Sequence, residues 1–144
     1  MYYLGPRSLR NLATCHKDLQ VIAAETIKLI DFAVTDGQRG REQQEAAVRN
    51  GTSKLHFPDS LHNHAPSRAM DCAPWPIDYN NKGRFADLGH IMMKVADDLY
   101  AQGVITHKLR WGHDWDMDGV EGEKGETDMP HFELMIPKKG ESDA

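Results

Sequence analysis

The apolar residues of this chain fall into two helical stripes and four short alternating runs. Leu19, Ile22, Ala23, Ile27 and Ile30 recur at helical spacing and predict an amphipathic helix over about 17–31. Phe85, Leu88, Met92, Val95 and Leu99 mark one face of a second helix over 84–102, stopped by Gly103. Leu9 and Leu12 suggest a shorter helical turn, and 41–50 holds good helix formers ending before Gly51. The strand signals are brief: Phe32-Ala33-Val34-Thr35, then 69–73, then Leu109 and Trp111, then 131–136. Strands this short make one small sheet that needs helices to cover it. The expected fold class is therefore α+β, a small antiparallel sheet with flanking helices. With 144 residues and no visible linker or repeat, one domain spanning 1–144 is expected, with a frayed polar tail from Pro137.

Composition narrows the function classes. A formal net charge of -5 argues against a protein that coats nucleic acid. Two cysteines, Cys15 and Cys72, are too few for a disulfide-framed secreted scaffold. Cys72, next to Asp71 on a strand, reads as a small core residue. The first residues lack the apolar run of a signal peptide, and no stretch approaches a membrane span. The expectation is a monomer made in the cytoplasm, with no membrane insertion.

Eight histidines are many for this length, and they bunch in sequence: His56, His62 and His64, then His107, His113 and His131. His64 and Asp71 stand seven residues apart, and His131 follows 60 residues after Asp71. Two imidazoles and a carboxylate are an ordinary catalytic zinc set, with the fourth position left to water. Asp128, three residues before His131, can take a proton from the zinc-bound water and return it to a leaving amine. Glu133 shares a strand face with His131 and is a candidate to orient its ring, or an exposed acid. Arg39 falls on the loop after the first strand, where a guanidinium can hold a substrate carboxylate or steady an oxyanion.

The acidic stretch Asp114-Trp115-Asp116-Met117-Asp118-Gly119 matches the opening half of a calcium loop. Its twelfth position is Gly125 where a glutamate is usual, so Glu121, Glu123 or Glu126 would have to close the site. A solvated acidic loop is the alternative.

The segment from His64 to Asp71, with Asp128-Met129-Pro130-His131-Phe132-Glu133-Leu134 far downstream, resembles the metal motifs of the D-Ala-D-Ala metallopeptidases, the VanY-like group related to the hedgehog domain. Within that group the likeness is to phage-type L-alanyl-D-glutamate peptidases. It is carried by Asp36-Gly37-Gln38-Arg39, Asn50-Gly51-Thr52-Ser53 and Arg110-Trp111-Gly112-His113-Asp114-Trp115, and it runs from about 8 to 136. The resemblance implies zinc bound by His64, Asp71 and His131, with Asp128 as general base and Arg39 catalytic. It also implies a regulatory calcium at Asp114, Asp116 and Asp118. Many relatives have Ser two places before the first histidine, where this chain has His62, and many have Gly where it has Ser67. The change leaves His62 and His64 both as candidates for the first ligand; the spacing to Asp71 favours His64, with His62 then a neighbour that steadies a ligand or touches substrate.

The implied activity is hydrolysis of the L-alanyl–D-glutamate bond of peptidoglycan stem peptides by a phage endolysin. Such an enzyme waits in the host cytoplasm until a holin releases it to the periplasm and wall. A D-Ala-D-Ala carboxypeptidase and a non-catalytic zinc-stabilised binding domain stay open as alternatives.

Overall fold

The structure, a computed structural model, describes residues 1–123, 125 and 127–135. Expectations that fall on Glu126, on Ile136 and on the tail from Pro137 lie outside the described residues.

Among the described residues the chain forms α1 (Pro6–Ala13), α2 (Lys17–Thr26), β1 (Phe32–Asp36), α3 (Arg41–Arg49), a 3-10 turn (Leu61–Asn63), β2 (Ala69–Pro74), α4 (Lys82–Ala101), β3 (Leu109–Trp111) and β4 (His131–Leu134). The four strands make one antiparallel sheet in the order β1-β2-β4-β3. The fold is α+β, a small antiparallel sheet with helices, as the sequence implies.

Two helix ends differ from their apolar stripes. The α2 stripe continues to Ile30, but the helix closes at Thr26. The Thr26 hydroxyl donates back to Ile22 O, and Leu29 N bonds Thr26 O, tightening the backbone into turns. Ile27 and Ile30 still pack on the core from those turns. At α4 the helix begins earlier, because Asn81 accepts a hydrogen bond from Arg84 N and caps it.

One face of the sheet is the core. Met70, Cys72, Val34, Phe132 and Leu134 lie there with Leu19, Ile22, Leu88 and Met92 from the two long helices. Alternation along the strands sends Asp71, His131 and Glu133 to the opposite face. Register decides which of these meet: Asp71 pairs with His131 directly across β2 and β4. Gly89 permits the approach of α4 to β3, since a Cβ there would stand 2.1 Å from the Trp111 ring.

Candidate active site

Three side chains converge on the open face. His62 Nε2, His131 Nδ1 and Asp71 Oδ1 are separated by 3.3 Å between the imidazoles, 3.4 Å from His62 to Asp71 and 3.3 Å from His131 to Asp71. That is an almost equilateral triangle. Ligands at about 2.0–2.1 Å from a tetrahedral zinc stand roughly 3.3–3.4 Å from one another, so the spacing fits that ion. Asp71 Oδ1 is buried and has no hydrogen-bond partner. A buried carboxylate oxygen left so is costly unless a cation completes it.

The other side of each group is tied down. His62 Nδ1 donates to Gly37 O at 2.8 Å, so its Nε2 presents a lone pair. His131 Nε2 donates to Glu133 Oε1 at 2.7 Å, which turns the Nδ1 lone pair inward. Glu133 is held in turn by Arg110 at 2.7 Å. Burial raises the Glu133 pKa, but His131 and Arg110 bring it below the usual carboxylate range. Burial alone would lower the His131 pKa, yet Asp71 and Glu133 raise it to about 10. Asp71 is held well below the usual range by both histidines against the upward push of burial. A field that draws protons to these rings would equally draw a divalent cation.

The geometry differs from the expected set: His62 stands in the cluster with Asp71 and His131, and His64 does not. His64 is exposed, following the 3-10 turn. Ser60 caps that turn by accepting from His62 N, and Asn63 Oδ1 accepts from Ser60 N. His62 O accepts from Arg39 N at 2.7 Å, which locks the turn to the loop after β1. With His62 inward, residues 64–66 form an exposed hump before the chain enters β2. A signal was present in the sequence. Ser60 stands two places before His62, the spacing expected of a serine before the first histidine.

Asp128 lies beside the triangle, with Oδ2 4.0 Å from His131 Nδ1 and half its side chain in solvent. Burial pushes its pKa up, against the pull of His131 and with the push of Asp71. Gly112 makes this placement possible: Asp128 N donates to Gly112 O, and a Cβ at Gly112 would stand 2.3 Å from Asp128 O.

Arg39 is committed to the protein. Its Nε donates to Asp36, Nη2 to Asp71 Oδ2 at 2.9 Å and Nη1 to Gln44 Oε1 at 3.4 Å. It is a positioning residue for Asp71. Gln44, fully buried, was not singled out from the sequence. Its Nε2 donates to Ser53 Oγ and Leu55 O, tying the loop after α3 to Arg39. That loop, with Thr35, Lys54, Tyr79, Trp115 and Asp128, lines a cleft of about 720 Å³ over the triangle.

The histidine bunching in sequence is not preserved in space. His56 pairs with Glu45 at the surface, His113 packs at a tilt against Trp111, and His107 joins Asp18 and His16. The acidic loop does gather Asp114, Asp116 and Asp118 with ligand atoms within 4.8 Å of one another. Asp114 Oδ1 there is buried without a hydrogen-bond partner. Glu121 is engaged by His90 of α4 at 2.8 Å. Cys72 is fully buried in the core, as expected. No helix among the described residues is long and apolar enough to cross a membrane.

The fold is similar to a crystal structure of the Serratia marcescens L-Ala D-Glu endopeptidase ChiX, with a TM-score of 0.68 and 23% identity over 93% of this chain and 91% of that one. No curated protein matches the chain significantly. Residues 1–135 match the family model for phage L-alanyl-D-glutamate peptidases, which covers the whole sheet, both ends of the cleft and all three converging side chains. The chain belongs to the phage L-alanyl-D-glutamate peptidase family.

Proposed function

We propose that this protein is a zinc peptidase that hydrolyses the L-alanyl–D-glutamate bond of peptidoglycan stem peptides, used by a phage to lyse its host. The observation that carries the reading is the triangle of His62, Asp71 and His131 around an unpartnered carboxylate oxygen, at the base of an open cleft. The family supplies the bond and the substrate class. Zinc in this position would lower the pKa of a water and polarise the scissile carbonyl.

The chain's own groups do the rest. Gly37 O and Glu133 fix both imidazole tautomers, and Arg39 fixes Asp71. Asp128, its pKa raised by burial, takes a proton from the attacking water and delivers it to the amine of the departing D-glutamate. A binding domain without turnover has no use for a half-exposed carboxylate beside an open cleft.

Mass spectrometry of fragments from a purified sacculus digest tests the bond. The expected products carry a new N-terminal D-glutamate. Release of free D-alanine would assign the protein to D,D-carboxypeptidases instead.

Calcium at Asp114, Asp116 and Asp118 is part of the same proposal. The loop runs from β3 into Asp128, so a cation that gathers three repelling carboxylates would also order the approach to Asp128. Titrating calcium into zinc-loaded protein should raise activity and shift amide signals of 112–123. No response up to about millimolar calcium, the range of weak extracellular sites, would leave the loop simply acidic.

A further inference from the structure

A second cavity of about 600 Å³ opens beside β1, at the edge of the sheet. Tyr2, Tyr3, Trp75 and Ile77 line it together with Ala33 and Thr35 of β1. Tyr3 is 76% exposed and Trp75 55%. One exposed aromatic residue needs no explanation, but three gathered in one concavity mark a surface that binds something. Thr35 lines both this cavity and the metal cleft, so the two adjoin. Trp75 follows the last residue of β2, and its N–H still donates to Asp31 O at 3.1 Å. It is four residues from Asp71, so the two stand at most about 14 Å apart along the chain.

We propose that this aromatic cavity is a subsite for the glycan strand, binding the N-acetylated amino sugars that carry the stem peptide. The inference rests on the L-alanyl–D-glutamate reading. In peptidoglycan the L-alanine is joined through a lactyl group to a muramic acid ring. Alanine and lactyl together span about 7 Å when extended, two backbone-length units. With the scissile carbonyl at Asp71 and the alanine end directed past Thr35, which lines both cavities, the sugars fall in the aromatic cavity. Sugar rings offer apolar C–H faces and polar edges. Tyr and Trp, apolar bodies with one polar handle, suit such a ligand at a wet surface. Charge agrees: among the described residues the charged side chains lining the cavity are one of each sign, Arg7 and Asp31, which fits a neutral acetylated sugar.

The test compares zinc-loaded parent, Trp75→Ala and Tyr3→Ala on two substrates. One is the N-acetylglucosaminyl-N-acetylmuramyl tetrapeptide and the other is the same peptide without sugars. In each variant the ratio of kcat/KM for the sugar-bearing over the sugar-free peptide should fall about three- to tenfold, the range of one aromatic contact. The loss should sit in KM, as for binding shared by ground and transition state. An unchanged ratio in both variants, each with the parent's melting temperature, overturns the subsite while leaving the peptidase reading intact. A zinc-loaded parent that cuts neither substrate at L-alanyl–D-glutamate overturns that reading, and the subsite with it.

Discussion

Two clusters among the described residues have the same composition, two histidines and an aspartate within reach of a common point, and they have opposite characters. One is His62, Asp71 and His131. The other is His16, Asp18 and His107, where α2 begins. In the second cluster Asp18 Oδ2 accepts from Thr106 N, Thr106 Oγ1, His107 N and His107 Nδ1. His16 Nδ1 accepts from Asp18 N as the helix cap, and the Arg68 guanidinium stands 3.4 Å from His107 Nε2. Its inward lone pairs are spent and a fixed cation is already beside it. In the first cluster the hydrogen bonds point outward, to Gly37 O, Glu133 and Arg39, and the inward Asp71 oxygen is left over. Residue type does not distinguish a cluster that could hold a metal from a structural knot. The direction of the remaining lone pairs does.

The largest expected effect breaks the first cluster. His62→Ala should abolish zinc binding and activity, read by metal content and peptide release. His64→Ala, a change to an exposed residue, should keep both near the parent level. The reverse result would restore His64 as ligand and undo the comparison.

Asp128→Asn should keep zinc and fold but slow turnover by about 10²–10⁴, the worth of a general acid–base group. Loss of zinc in this variant would make Asp128 a ligand.

In the second cluster, His107→Ala leaves the Asp18 carboxylate buried with one partner fewer; the two side chains are 1% and 3% exposed. Removing one member of a buried pair costs about 3–5 kcal/mol, so the melting temperature should drop sharply while zinc content stays unchanged. Burial raises the Asp18 pKa, but His107 and Thr106 bring it below its ordinary value. The stability from that depression is present above the unfolded carboxylate pKa, near 3.9, and is lost as pH falls through the lower folded value. Acid unfolding of the parent should therefore show a contribution below about pH 4 that Asp18→Asn lacks.

The smallest effect sharpens the first cluster. Glu133→Gln keeps the shape but weakens the acceptor that orients His131. A change to such a partner lowers metal affinity by about 10–100-fold, measurable by competition with a chelator. Unchanged affinity would assign Glu133 to its Arg110 bridge alone.

The α+β class, both long helices and all four strands were legible because each rests on a local period, 3.6 or 2 residues, that burial follows. The face pattern of β4 was legible for the same reason: Phe132 and Leu134 enter the core, while His131 and Glu133 meet Asp71 of the neighbouring strand and Arg110 of β3. The ligand position in the loop was not, because a loop has no period. Spacing chose His64, and the capped turn at Ser60–Asn63 presents His62 instead.

The sequence by itself determined which segments pair with water and which with the core, and with them the placement of Asp71 and His131 on strands. Only the tertiary structure decided what those groups face. Arg39 became the clamp on Asp71 because the loop after β1 is bonded to the 3-10 turn. His107 stands apart from His62, Asp71 and His131 because it bonds Asp18, 89 residues distant in sequence yet 2.8 Å away in space. Side-chain direction at a site depends on hydrogen bonds made between distant segments, and these exist only once the chain has closed on itself.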